Sequence, residues 1–349
     1  MKKQPIYLDR NENHFGPAPA CFKALQKKNF FKLSAYSRDF ARGVKSRLSE
    51  RIAHDFGMDE KQVLLGYGGE DILKQAVHCY LKEGQKILIP QFSWWYYKAI
   101  ADEVGGIKAE YPITEGDFSF YYDIDGMKDA VKKHNPAVIL ISTPNNPTGN
   151  AMGFGALHDF LSHTGDAIVI LDEAYTMFFN TDRSYVKALI DEFPNLLIIR
   201  TFSKYYALAG VRIGFGFMGK NLSTFSKFSA RYLGYNRLTE RIALAALDSD
   251  DYYNDMRIKM VSDLDMFFKS FNQLPGFKAY RSEANFILVK IPEGIKDAMN
   301  AYLKERGYII KFMNEDGLDQ HVRISLGTQE ENHMLMNLVN EFVAQHSGK

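Results

Sequence analysis

Short apolar, β-rich runs alternate with helix-patterned segments through the middle of this chain, and that alternation narrows its fold more than any other feature. Candidate strands are VLLGYG (63–68), KILIP (86–90), IKAEYP (107–112), AVILIS (137–142), AIVILD (167–172), LLIIRT (196–201) and RIGFGFM (212–218). Between most of them lie helical patterns such as EDILKQAVHCYL (70–81) and GALHDFLSH (155–163). Strands that are apolar throughout, separated by helices, imply an α/β fold: a mostly parallel central sheet with helices on both faces. In such sheets the chemistry gathers at strand ends and in the loops that follow them.

Past about residue 236 the pattern changes. RLTERIALAALDSDDYYNDMRIKMVSDLDMFFKSFNQL reads as helices, one of them long. FKAYRS, NFILVKI, YIIKF and VRISLG follow as short strands, with a helix near 294–306 among them. The last helix opens on Thr328 and Glu331, a capping box, and carries Leu335, Leu338, Val339 and Phe342 at helical spacing. This is a smaller α+β unit. A chain of 349 residues exceeds the ~250–300 that one core usually holds, so two packed units are expected. We place the large unit at 36–262 and the small C-terminal one at 263–349. Residues 1–35, with no hydrophobic pattern of their own, form an arm packing on the small unit.

Composition excludes several classes. A hydrophobic fraction of 46% rules out a mainly disordered chain. Lys plus Arg is 43 against 42 for Asp plus Glu, so the basic excess that nucleic acid or an anionic membrane usually demands is missing. Cys21 and Cys79 are too few for a disulfide framework or a metal knuckle, and no metal is expected. MKKQPIYLDRNEN lacks an apolar signal core, and no run approaches the ~18 apolar residues of a membrane span. The expectation is a cytoplasmic globular protein.

Four segments carry the chemistry. In Thr201-Phe-Ser203-Lys204-Tyr-Tyr-Ala-Leu-Ala-Gly210-Val-Arg212, a lysine follows an apolar strand directly. Desolvated there, its amine loses proton affinity and becomes a nucleophile toward carbonyls, while Arg212 is positioned to hold an anion. An ordinary loop with Lys204 and Arg212 exposed fits this segment about as well. Ser142-Thr-Pro-Asn145-Asn146-Pro-Thr-Gly149 forces a turn that fixes an Asn amide at a strand's carboxyl end, unless it is simply a tight loop. In Asp172-Glu-Ala-Tyr175 an acid ends a buried strand, where it needs a cationic partner; a ligand's ring nitrogen or a nearby Lys or Arg would serve. Gly66-Tyr-Gly68-Gly69-Glu70-Asp71 opens a helix with glycines, which lets backbone amides approach a phosphate. A fifth match, Gly214-Phe-Gly216-Phe-Met-Gly219, fits GxGxxG and runs into Lys220, but it lies inside a strand-like run and Asn221 stands where a P-loop needs Ser or Thr. Those glycines are expected to pack against neighbouring backbone.

Taken in order, the four segments resemble fold-type I, pyridoxal-phosphate-dependent aminotransferases of class I/II, most closely the histidinol-phosphate aminotransferases. The likeness runs from Leu8-Asp-Arg-Asn11-Glu-Asn through SEANFIL to Val322-Arg323-Ile-Ser-Leu-Gly327. It implies that Lys204 holds pyridoxal 5'-phosphate as an internal aldimine and then moves the substrate proton. It implies that Asp172 keeps the pyridine nitrogen protonated, and that Asn146 and Tyr175 hydrogen-bond the phenolic oxygen. Arg212, Ser203 and the Gly68-Gly69-Glu70 turn would take the phosphate, and Phe92 would stack on the ring. Tyr36 resembles the tyrosine that reaches the phosphate from a partner subunit, which implies a homodimer with shared sites. Arg323 resembles the arginine that binds the substrate carboxylate. Asn11 and Lys311 are further substrate-side candidates. The family usually has a proline after the tyrosine, where Ser37 stands here, and an arginine a dozen residues before Arg323, where Lys311 stands. The resemblance implies transamination between histidinol phosphate and 2-oxoglutarate. An aromatic or general amino acid aminotransferase, or a phospho-amino-acid decarboxylase, shares the same lysine, and the Trp94-Trp95-Tyr96-Tyr97 run suits an aromatic substrate.

Overall fold

The computed structural model describes residues 4–26 and 34–346. The parts of the expected arm at 1–3 and 27–33, and the last three residues of the expected small unit, lie outside the described residues.

Fourteen strands form along the described chain. They are β1 (Ile6–Leu8), β2 (Val63–Gly66), β3 (Lys86–Pro90), β4 (Ile107–Tyr111), β5 (Ile113–Glu115), β6 (Phe120–Tyr122) and β7 (Val138–Ser142). They continue as β8 (Ile168–Asp172), β9 (Leu196–Thr201), β10 (Gly214–Met218), β11 (Lys278–Ala279), β12 (Phe286–Lys290), β13 (Tyr308–Phe312) and β14 (His321–Ser325). Seven of them build a sheet in the order β2-β10-β9-β8-β7-β3-β4. The pairs β3–β4, β3–β7, β7–β8 and β8–β9 are parallel, and β10 alone runs antiparallel to both its neighbours. The continuous apolar runs have the expected cause. Successive residues of one strand enter different cores, Ile139 and Ile141 on one face and Leu140 on the other, and likewise Leu65 against Leu64. A strand with both faces covered leaves little place for an unpaired polar residue.

The strand direction puts the candidate loops at one edge. β7, β8 and β9 end there in Ser142, Asp172 and Thr201. Because β10 is antiparallel, its first residue Gly214 pairs with Thr201 and with Gly66, the last residue of β2. All four chemistry-bearing segments therefore meet at that edge. The strand expected at 212–218 begins two residues late because Arg212 is left-handed (φ 55°), a conformation no strand can contain. β2 stops at Gly66, where the Tyr67 amide turns to donate to Asp71 Oδ2 (2.9 Å) and the helix Gly69–Tyr80 begins.

A second sheet has the order β1-β13-β14-β12-β11. Helix Asp250–Asn272 packs on its β11 and β12 and against helix Gln329–His346, and Lys296–Glu305 precedes and packs on β13. Its arm strand β1 runs parallel to β13, while the arm helix Pro19–Gln26 packs on helix Arg237–Leu247. The expected boundary at 262/263 falls inside the continuous 23-residue helix Asp250–Asn272. Thr328 and Glu331 form the anticipated cap: the Thr328 amide donates to Glu331 Oε2 (2.8 Å) and the Glu331 amide to Thr328 Oγ1 (3.3 Å). Among the described residues no helix is long and apolar enough to cross a membrane.

Candidate active site

Where the carboxyl edge of the large sheet faces the small one, a cleft of about 700 Å³ opens. Lys204 projects into it from the loop after β9. Its Nζ donates to the carbonyls of Arg10 (3.0 Å) and Asn11 (3.1 Å) and lies 5.7 Å from the Tyr175 ring centre. Burial, followed by the nearby Arg323 cation, lowers its pKa to about 8. An amine so tuned is uncharged often enough near neutrality to attack a carbonyl.

Asp172 ends β8 and accepts from the Tyr97 hydroxyl (2.8 Å) and the Ala174 amide (3.0 Å). No cationic side chain pairs with it among the described residues, and burial raises its pKa. Its neighbour Glu173 takes the ordinary structural role instead, pairing with buried Arg200 (2.8 Å). The unpaired Asp172 carboxylate thus awaits a cation from a ligand.

At the Gly68 turn the cleft has a backbone cradle, where the phosphate was expected. Gly68 (φ 98°) would place any Cβ 2.7 Å from the Arg212 guanidinium, so only glycine lets that side chain lie across the turn. Arg212 donates to Glu70 (3.3 Å) and to the Ala209 carbonyl (3.1 Å). Gly69 begins the twelve-residue helix Gly69–Tyr80 with free amides, and Ser203 lies alongside, its hydroxyl accepting from Thr201 Oγ1 (2.9 Å). The glycines of the GxGxxG match do pack on backbone. A Cβ on Gly214 would lie 2.4 Å from the Gly69 nitrogen, and one on Gly219 2.4 Å from the Pro194 carbonyl.

On the side facing the small sheet, Arg323 of β14 donates to Asn146 Oδ1 and to the Asp9 carbonyl (2.6 Å), and its buried Nε has no partner among the described residues. Lys311 of β13 lines the same cleft, directly opposite Arg323 on the antiparallel ladder. A separation of twelve residues in the chain is thus a cross-strand pair in space. In the turn after β7 it is Asn146 that faces the cleft. Asn145 is fully buried and holds the loop through Thr148 Oγ1 and the Phe92 carbonyl (2.7 Å each).

Two expected residues stand elsewhere, and a third lines the cleft with its side chain engaged. Phe92 does not line the cleft: its ring packs edge-on against Phe120 (6.0 Å) and beside Gly317, and Trp94 lines the cleft two residues later. The turn after β3 carries Phe92 to the core side and Trp94 to the open side. Tyr36 is 71% exposed and outside this cleft, and its carbonyl accepts from Arg237 (2.7 Å). Asn11 lines the cleft, but its side chain turns away to Tyr175 and Ser325. Sequence reading passed over Tyr97, whose only signal was membership of an aromatic run.

The sequence model of aminotransferase class I and II matches residues 3–339. The chain belongs to this family. This aminotransferase is 30% identical over 341 residues to histidinol-phosphate aminotransferase 1, chloroplastic, of Arabidopsis thaliana, covering 97% of this chain and 78% of the relative. It is 29% identical to an aromatic amino acid aminotransferase of Cutibacterium acnes, covering 97% and 92%. In fold it is similar to histidinol-phosphate aminotransferase from Sinorhizobium meliloti solved in complex with pyridoxal-5'-phosphate (TM-score 0.86, 23% identity, 98% of this chain and 92% of that one). The aminotransferase is a fold-type I enzyme whose cofactor is pyridoxal 5'-phosphate. The cleft fits that group: a nucleophilic amine, an unpaired buried carboxylate and a glycine-lined cationic cradle answer its aldehyde, ring nitrogen and phosphate.

Proposed function

We propose that this aminotransferase moves an amino group between histidinol phosphate and 2-oxoglutarate. The observation that carries the reading is the Arg323–Lys311 pair across one ladder, two cations in one cleft, which suits a phosphate dianion in one half-reaction and the two carboxylates of glutamate in the other. Histidinol phosphate itself has no carboxylate, so in that half-reaction its phosphate uses the pair; with glutamate, Arg323 takes the α-carboxylate and Lys311 the distal one.

Bound here, the cofactor supplies an electron-withdrawing ring that acidifies the substrate's Cα–H. The chain's own groups do the rest. Lys204 Nζ takes that proton and returns it. The Asp172 carboxylate holds a proton at the ring nitrogen, steadied by the Tyr97 hydroxyl. Tyr175 and Asn146 bind the phenolic oxygen, while Arg212, Ser203 and the Gly68-Gly69-Glu70 turn bind the phosphate. Trp94 and Trp95 line the cleft, and Trp94 would supply the aromatic contact to the ring expected of Phe92.

We also propose a cofactor-binding unit over 36–262 and a small substrate-closing unit over 263–349. The assembly is a cytoplasmic homodimer. Exposed Tyr36, Phe40, Tyr232 and Leu233 form an apolar face suited to a second copy, whose cleft Tyr36 would enter.

A second reading, an aromatic amino acid aminotransferase, is favoured by the Trp94–Trp95 wall and by the Cutibacterium relative. Glutamate formation from 2-oxoglutarate with histidinol phosphate, phenylalanine or phosphoserine separates the readings. Turnover of phenylalanine alone overturns the first; amine and CO₂ without glutamate indicates decarboxylation. Under the first reading Lys311→Ala raises KM for histidinol phosphate roughly 10-fold or more, the worth of one charge-assisted hydrogen bond.

A further inference from the structure

Asn11 follows the arm strand β1, is 1% exposed, and has a left-handed backbone (φ 54°). Its contacts reach both sheets. Its amide nitrogen donates to Ser325 Oγ (2.8 Å), which in turn donates to Asn11 Oδ1 (3.1 Å). Its carbonyl accepts from Lys204 Nζ (3.1 Å) and from Asn285 Nδ2 (3.1 Å). Its side-chain Nδ2 donates to the Tyr175 hydroxyl (2.9 Å).

The direction of that last bond matters. A side-chain N–H₂ has no lone pair to offer, so Tyr175 can only accept from it. The Ser325 hydroxyl donates to Asn11 Oδ1, and the other end of the amide, Nδ2, faces Tyr175. The single phenolic proton of Tyr175 is thereby left to point elsewhere, into the cleft. We infer that Asn11 is a positioning residue, which aims the Tyr175 proton at the cofactor's phenolic oxygen rather than touching substrate. This rests on the reading of Tyr175 as a donor to that oxygen. Burial, ahead of every other influence, raises the Tyr175 pKa, so the proton to be aimed is present throughout the working range. The other groups facing Tyr175 are Arg323 from β14, Asp172 at the end of its own strand, Lys204 with Nζ 5.7 Å from the ring centre, and the edge of Phe286 from β12 (5.2 Å). The two cations favour a phenolate on the ligand, and none of these groups replaces the Asn11 donor. Accepting one hydrogen bond also strengthens the one Tyr175 gives.

The test is the pH midpoint of the bound cofactor's visible absorbance, which rises when the deprotonated phenolic oxygen loses a donor. Asn11→Gly is the informative deletion, because glycine adopts φ 54° without strain and keeps the backbone carbonyl on Lys204. We expect its midpoint to rise by roughly 1 pH unit, the scale of one hydrogen bond to a charged group. Asn11→Asp, whose carboxylate would accept the Tyr175 proton and turn it away, should raise it further. In a Tyr175→Phe background Asn11→Gly should add nothing. An unchanged midpoint in Asn11→Gly, with KM raised or only the melting temperature lowered, overturns the inference in favour of substrate contact or plain scaffolding. An equal shift in the Tyr175→Phe background overturns it too. If Tyr175→Phe alone leaves the midpoint unmoved, the underlying reading of Tyr175 fails instead.

Discussion

At the scale of single residues, two buried charges set the chemistry, and burial acts on them in opposite senses. Lys204 is pushed down to about 8 by desolvation and by Arg323. Only the free amine attacks the cofactor's aldehyde, so capture of pyridoxal phosphate by the apoenzyme should accelerate with rising pH, with a midpoint near 8. Stopped-flow absorbance measures this. Replacing Arg323 with leucine removes the second cause and should move the midpoint upward. Asp172 is pushed up by burial, which the hydrogen bonds from Tyr97 and Ala174 only partly offset. A buried charge without a partner favours unfolding, so Asp172→Ala should keep its melting temperature while losing roughly 100-fold or more in transamination. A variant with near-normal turnover would remove Asp172 from its role.

At the scale of elements, the phosphate cradle is a contact between three loops with no spare volume. A methyl on Gly68 would meet the Arg212 guanidinium at 2.7 Å, and one on Gly214 would meet the Gly69 nitrogen at 2.4 Å and the Gly68 carbonyl carbon at 2.5 Å. The first clash is with a side chain that can swing away. Gly68→Ala should therefore fold, less stably, and bind pyridoxal phosphate about 10-fold or more weakly, since Arg212 leaves the turn. The second clash is with backbone, so Gly214→Ala should lose stability by about 1–3 kcal/mol or more. Gly210→Ala, with nothing within 4 Å of its Cβ, is the matched control and should change neither. Cofactor titration and thermal melts of the three variants check the set.

For the whole molecule, the cleft exists because two sheets and the arm are tied together through its walls. Arg323 of the small sheet holds Asn146 of the large sheet and the Asp9 carbonyl of the arm, and Asn285 reaches the Asn11 carbonyl. In the proposed function, a carboxylate bound at Arg323 would exchange these bonds and so be coupled to the relative position of the two sheets. The proposed dimer extends this logic to a second copy. If Tyr36 completes the partner's site, mixing inactive Lys204→Ala with a weakened Tyr36→Phe variant should recover activity, because one of the two hybrid sites is intact. Sedimentation gives the assembly state independently, and mixtures without recovery would show that the sites are not shared.

The sequence alone determined the covered parallel sheet, since Val138–Ile141 and Leu196–Ile199 are apolar at successive positions and so leave no alternation for a solvent-facing side. It also determined the loops that bear Lys204, Asp172, Asn146 and Arg212, because strand ends are local features. Strand direction escaped it. Only pairing shows that β10 reverses, and that reversal brings Gly214 to the phosphate turn and explains the GxGxxG match. Side-chain direction escaped it too: Phe92 and Trp94 stand two residues apart and differ only in which way a turn carries them. Tyr97 and Asn11 act through hydrogen bonds across 75 and 164 residues of chain, and no local pattern records such partners. What tertiary structure decided, in each case, was which groups meet, because packing and bond direction depend on neighbours distant in sequence while strand and turn preferences do not.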